Sequence, residues 1–186
     1  MQARCSARPR SRAPSAETTT ATIVAALALL AVGCQDDEPK PTQLSAPVAE
    51  TRSGILDAAQ SRDYDRLRPL IKLEVFLSDY GFGRSQPDPV TRWRKLGPKP
   101  LQTMSVLLRM PHQVRETNEG TLYQWPRLGP DSTADDMSDS ERALFRTIMT
   151  DSQVRNLILP EYGYTAPRLG ILADGTWWFF IRNRAP

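Results

Sequence analysis

The 186-residue chain carries 24 Lys and Arg against 21 Asp and Glu, a formal net charge of +3. The excess lies in the first 33 residues, which hold Arg4, Arg8, Arg10 and Arg12 against Glu17 alone, so the remainder balances at 20 basic and 20 acidic groups. That balance argues against nucleic-acid binding, which rests on neutralising phosphates with a basic surface. Two cysteines and one histidine leave too little for a disulfide framework or the usual zinc ligand sets.

From Ala21 to Gly33 runs the one long apolar stretch, 13 residues that close as Leu30-Ala31-Val32-Gly33-Cys34. A positive leader, an apolar core and small residues before a cut are the three parts of a secretory signal. Thirteen residues are too few for the alternative, an uncleaved spanning helix, which needs roughly 20. With a cysteine at the cut, the stretch resembles the lipobox of bacterial lipoproteins, although Ala31 stands where that family usually has Leu. The resemblance implies that residues 1–33 are a signal peptide. It further implies that the Cys34 thiol receives diacylglycerol and that the new amino terminus is acylated, for example by palmitate. The protein is then anchored by lipid in the bacterial cell envelope. In the Gram-negative sorting rule an aspartate directly after the cysteine retains a lipoprotein in the inner membrane. Gln35 stands there, so the outer membrane, facing the periplasm, is expected in such a cell.

Residues 34–50 read as the lipid anchor and a disordered tether, because QDDEPKPTQLSAPVAE is rich in proline and charge and has no apolar periodicity. Residues 51–186 read as a single globular domain, long enough to bury roughly two-thirds of its unfolded surface. A first helix is expected near Arg52 to Gln60. A second begins at the cap Asp63 and carries Leu67, Leu70 and Ile71, with Pro69 kinking or ending it. Leu73 to Phe82 has strand composition, and a short helix passes through Trp93 and Leu96 between prolines. Leu101 to Met110 repeats Leu and Met at helical spacing and is stopped by Pro111. Thr121 to Trp125 predicts a strand entered through Asn118-Glu119-Gly120, and Pro126 to Asp136 a loop. Ser138 and Glu141 have capping-box spacing ahead of a helix whose buried stripe is Leu144, Phe145, Ile148 and Met149. One or two helical turns are expected from Gln153 to Leu159, before Pro160.

At the carboxyl end Asp174-Gly175 sits between RLGILA and TWWFFIR, the pattern of a tight hairpin with positive φ at both turn residues. Pairing outward sets Leu172 against Trp177, Ile171 against Trp178, Gly170 against Phe179 and Leu169 against Phe180. Both faces of such a ribbon are apolar, which predicts a central position covered on each side, or one face kept as a binding platform. The expected fold is therefore α+β, short helices around a small, mostly antiparallel, curved sheet ending in a β-hairpin. The stretch YGYTAPRLGILADGTWWFF resembles the end of a set of uncharacterised bacterial exported domains with a G-I-x-x-D-G-x-W hairpin, a likeness that implies no activity. The two opening helices are also similar to the start of cone-shaped NTF2-like domains, which enclose an apolar pocket.

Residues able to do chemistry are few. His112 is the one histidine available to a nucleophile, and Asp79 beside Tyr80 and Glu161 beside Tyr162 and Tyr164 are the carboxylates to pair in a cleft. These make Asp79, His112 and Glu161 the catalytic candidates, and Tyr80, Tyr162, Tyr164 and Trp178 the ligand-binding ones. Asp131, Asp135, Asp136 and Asp139 lack the glycine and terminal glutamate of a calcium loop, so no metal site and no cofactor is expected. Arg92-Trp93-Arg94-Lys95 is the one basic and aromatic cluster, either a contact for anionic lipid or wall polymer or a solvated helix face with Trp93 turned inward. Two functions remain in view. The favoured one is a non-enzymatic envelope lipoprotein that binds a protein, a polymer or a small apolar ligand. The rival is a hydrolase that acts on envelope polymers through carboxylates.

Overall fold

The computed structural model describes residues 43–159 and 162–182. The lipobox, Cys34 and Glu161 lie outside the described residues. The fold is α+β, as the sequence predicts: a six-stranded sheet in the order β2-β1-β8-β7-β4-β3, with helices on one face. Its strands are β1 (Leu77–Ser78), β2 (Gly81–Phe82), β3 (Gln113–Thr117), β4 (Gly120–Trp125), β7 (Arg168–Leu172) and β8 (Trp177–Ile181). All neighbours are antiparallel except β1 and β8. A separate two-stranded ribbon joins β5 (Ile158–Leu159) to β6 (Gly163–Tyr164).

The first helix, α1 (Ala46–Ser61), starts inside the stretch expected to be tether. Val48 is fully buried, Ser45 Oγ donates to Ala173 O at 3.1 Å and Thr51 Oγ1 donates to Gly175 O at 2.6 Å. Pro47 occupies a first-turn position where its missing N–H costs nothing, so it starts the helix instead of breaking it. Asp63 caps a 3-10 helix, Tyr64–Leu70, through its carboxylate and the Asp65 N–H, and Pro69 lies in its last turn.

The strand expected over 73–82 is only two short pieces. Asp79 and Tyr80 form the turn between them, and Gly81 and Gly83 hold φ of +133° and +65°, so the chain folds back instead of running on. Two helices follow, α2 (Pro89–Arg94), capped by Asp88, and α3 (Lys99–Leu107). Trp93 on α2 is fully buried. β3, which no sequence signal marked, pairs with β4 across the expected turn. As an exposed sheet edge it needs no apolar alternation.

Ser138 and Glu141 form the expected capping box at the start of α4 (Asp139–Arg146). A second box, Thr150 with Gln153, starts α5 (Asp151–Arg155) earlier than predicted, and residues 158–159 are strand instead of helix.

The terminal hairpin is central, with the register expected at two pairs, Leu169 with Phe180 and Gly170 with Phe179. Nearer the turn it departs from expectation. Ile171 pairs with Trp177, so Trp178 is the extra residue of a bulge. The loop is Ala173–Gly175, closed by Leu172 N–H to Thr176 O at 2.9 Å, and within it Gly175 alone has positive φ, +85°. Asp174 holds this shape by accepting from Thr176 N and Thr176 Oγ1, which a two-residue turn would not allow.

Candidate functional site

Asp79 and Tyr80, in the turn between β1 and β2, sit beside the end of β8, where Arg182 follows the last strand residue. Backbone pairing of β1 with β8 brings them together. Arg182 N donates to Asp79 Oδ1 at 2.7 Å and Arg182 Nε to Asp79 Oδ2 at 2.5 Å, with side-chain exposures of 13% for Asp79 and 28% for Arg182. Arg182 Nη2 donates to Tyr80 OH at 3.2 Å, and the guanidinium also lies 5.8 Å from the Tyr80 ring centre, as does that of Arg92. An arginine held at two sites of one carboxylate and by a phenol is fixed in position.

This ion pair forms one wall of an open cleft of about 300 Å³. Lys99, Pro100 and Thr103 from α3, Ile148, Met149 and Gln153 from the α4–α5 region, and Pro167 before β7 complete it. Asp79 is the one carboxylate among its described lining residues, and both its oxygens are engaged. Lys99 makes no ion pair among the described residues. Thr103 Oγ1 donates to Lys99 O, and Gln153 Oε1 accepts from Thr150 N and Thr150 Oγ1.

The other candidates are dispersed. His112 stacks near Trp125 and Tyr123, ring centres 5.2 and 5.8 Å away, and is not among the residues lining the cleft. Tyr164 is buried and donates to Pro167 O at 2.7 Å; burial pushes its phenol well above the usual value. Tyr162 is exposed, and Trp178 is half-buried on the sheet face away from the helices. Of the described candidate residues, the structure thus brings together only Asp79 and Tyr80.

Sequence reasoning missed Arg182 and Lys99. No local signal could have found Arg182, because its role comes from a parallel strand contact with a segment about a hundred positions away. Trp93 is turned inward, while Arg94 pairs with Asp65 and Arg92 lies over Tyr80, so both arginines of the basic cluster face intramolecular partners. Of the acidic loop, Asp136 caps a turn by accepting from Thr133 N and Thr133 Oγ1, contacts that hold its carboxyl below the usual value. Among the described residues no group of three His, Cys, Asp or Glu is placed to hold a metal ion, and no helix is long and apolar enough to cross a membrane.

No protein-family model, curated protein or solved structure matches this chain.

Proposed function

We propose that the chain is a lipid-anchored protein of the bacterial envelope, held through Cys34, whose domain acts by binding and not by hydrolysis. The observation that carries this is the state of its carboxylates. A glycosidase-type hydrolase needs two acids facing one cleft, one of them held protonated near neutral pH. Among the described residues, Asp79 is paired with Arg182 through both oxygens, and the carboxyls whose values shift, Asp65, Glu74, Asp88, Asp136 and Asp174, all move downward. Arginine partners or capping N–H and O–H donors hold each of them ionised. What such a domain offers is a preformed cleft and, on the sheet, an apolar face.

The anchored reading also fixes a reach. Only residues 35–45 lie between Cys34 and α1, and at ~3.5 Å each even a straight chain spans no more than ~40 Å. The start of α1 therefore stays within that distance of the bilayer. In a Gram-negative cell the outer membrane, facing the periplasm, is the expected location.

Two measurements test the proposal. Replacing Cys34 by Ser should move the protein from the detergent phase to the aqueous phase and abolish lipid on the amino-terminal peptide in mass spectra. Unchanged membrane association with an uncleaved leader would sink the anchor. Release of soluble fragments from purified wall polymer by the full chain would sink the binding reading and restore the hydrolase.

A further inference from the structure

We propose that the cleft beside Asp79 is the binding site of a small monocarboxylate with a short apolar stem, an inference that rests on the binding reading above. The first argument is the kind of polar group left over. An arginine has five N–H groups. Arg182 gives one to Asp79 from Nε and one to Tyr80 from Nη2, so the rest of its planar fork is available. Lys99 brings an ammonium with no ion-pair partner among the described residues, and Gln153, whose Oε1 is used by the Thr150 cap, brings its NH2. Three donors and no free side-chain carboxylate fit a group that only accepts hydrogen bonds. A sugar hydroxyl, which both gives and takes, fits worse.

Charge then chooses among anions. Among the described lining residues, Lys99 and Arg182 against Asp79 leave one net positive charge, which one carboxylate neutralises. A dianionic phosphate would leave surplus negative charge beside Asp79. Preorganisation favours this choice as well, because Asp79 and Tyr80 already fix the guanidinium and little side-chain freedom is lost when a ligand arrives. The remaining wall is Thr103 with the apolar side chains of Pro100, Ile148, Met149 and Pro167. Ile148 and Met149 are half-buried and adaptable in shape, so a hydrocarbon stem has a surface to lie on. About 300 Å³ is at the low end of the range for small-molecule sites, roughly 300–1,000 Å³, which limits the stem to a short one.

Equilibrium dialysis of labelled hexanoate against the full chain in detergent, with protein-free micelles as the blank, provides the test. Saturable binding is expected, with hexanol at least about tenfold weaker, a difference of about 1.4 kcal/mol. Lys99→Glu, on the exposed rim, should weaken hexanoate about tenfold or more and leave the melting temperature unchanged. Gln153→Glu should weaken it in the same direction while keeping the α5 cap. Arg182→Ala is unsuitable alone, since it strands Asp79 and is expected to lower stability. Equal binding of hexanoate and hexanol, full hexanoate affinity in both variants, or no saturation at tens of millimolar overturns the assignment. Turnover of wall polymer would instead overturn the binding reading, whatever hexanoate does.

Discussion

The two faces of the sheet are built from the same kinds of side chain and end in different states. On the helix side, Phe76, Trp93, Trp177 and Phe180 form one aromatic group with ring centres 5.2–6.0 Å apart, and Trp177 Nε1 is satisfied by Phe179 O at 3.0 Å. On the far side, Leu122, Phe179 and Ile181 are buried among Leu77, Leu172 and Trp178, a cluster with no helical member among the described residues. They shield one another: the Phe179 ring lies over Gly170, where an added Cβ would come within 2.4 Å of it. Phe82, paired with Leu77 at the sheet edge, remains 55% exposed. The difference shows that hydrophobicity alone does not say which face becomes a core; covering elements decide. Here the helices approach from one side.

The sharpest way to break this comparison is to truncate each tryptophan in turn. Trp177→Ala should cost about 3–5 kcal/mol in urea unfolding, as large aromatic deletions do in a closed core. Trp178→Ala should cost distinctly less, about 1–2 kcal/mol, because part of its surface stays in contact with water. Equal losses would mean that the two faces are equally closed.

Gly170→Ala sharpens the picture of the far face, since the Phe179 ring must swing away; about 1–3 kcal/mol is expected, read from the same unfolding curves. A neutral result would show that the ring is not seated on Gly170. The smallest mutational effect belongs to Phe82→Ser, within about 0.5 kcal/mol, because that side chain gains little on folding. A large loss there would show that Phe82 is covered.

Acid should act on both faces alike. Asp65 is held below the usual value by Arg94 and Arg68, and Asp174 by the Thr176 N–H and hydroxyl, while at Asp88 burial acts upward and is outweighed by Thr91 and Arg68. A lowered folded pKa contributes stability that is present above the unfolded value near 4 and lost as pH falls through the folded one. Urea midpoints of the wild type and both tryptophan variants should therefore stay level from pH 7 to about 5 and fall together below about 4. A divergence between the two variants in acid would tie one face to these carboxylates.

What the sequence disclosed follows the range of the interactions involved. The hairpin, the Ser138–Glu141 box and the Asp63 cap rest on side chains within a few positions of one another, and each is where the pattern put it. The bulge at Trp178 was hidden because Asp174 sets the loop through its own side chain, a choice that Asp-Gly shares with the tighter turn. The Asp79–Arg182 pair was beyond reach for another reason. Asp79 stood out as a carboxylate beside a tyrosine, but nothing near it announces that a distant strand end will neutralise it. Val48 was lost to composition, since one apolar residue among prolines and charges carries no period.

The route of the chain gives the domain an order of assembly. Its first helix is fastened to its last hairpin: Ser45 reaches Ala173, 128 positions on, and β1 takes its place only against β8. The centre of the sheet is thus the part synthesised last, and the earlier elements have no finished surface to dock on until it arrives. Long-range closures of this kind are slow to form. A truncation before Trp177 would remove the strand around which everything else waits.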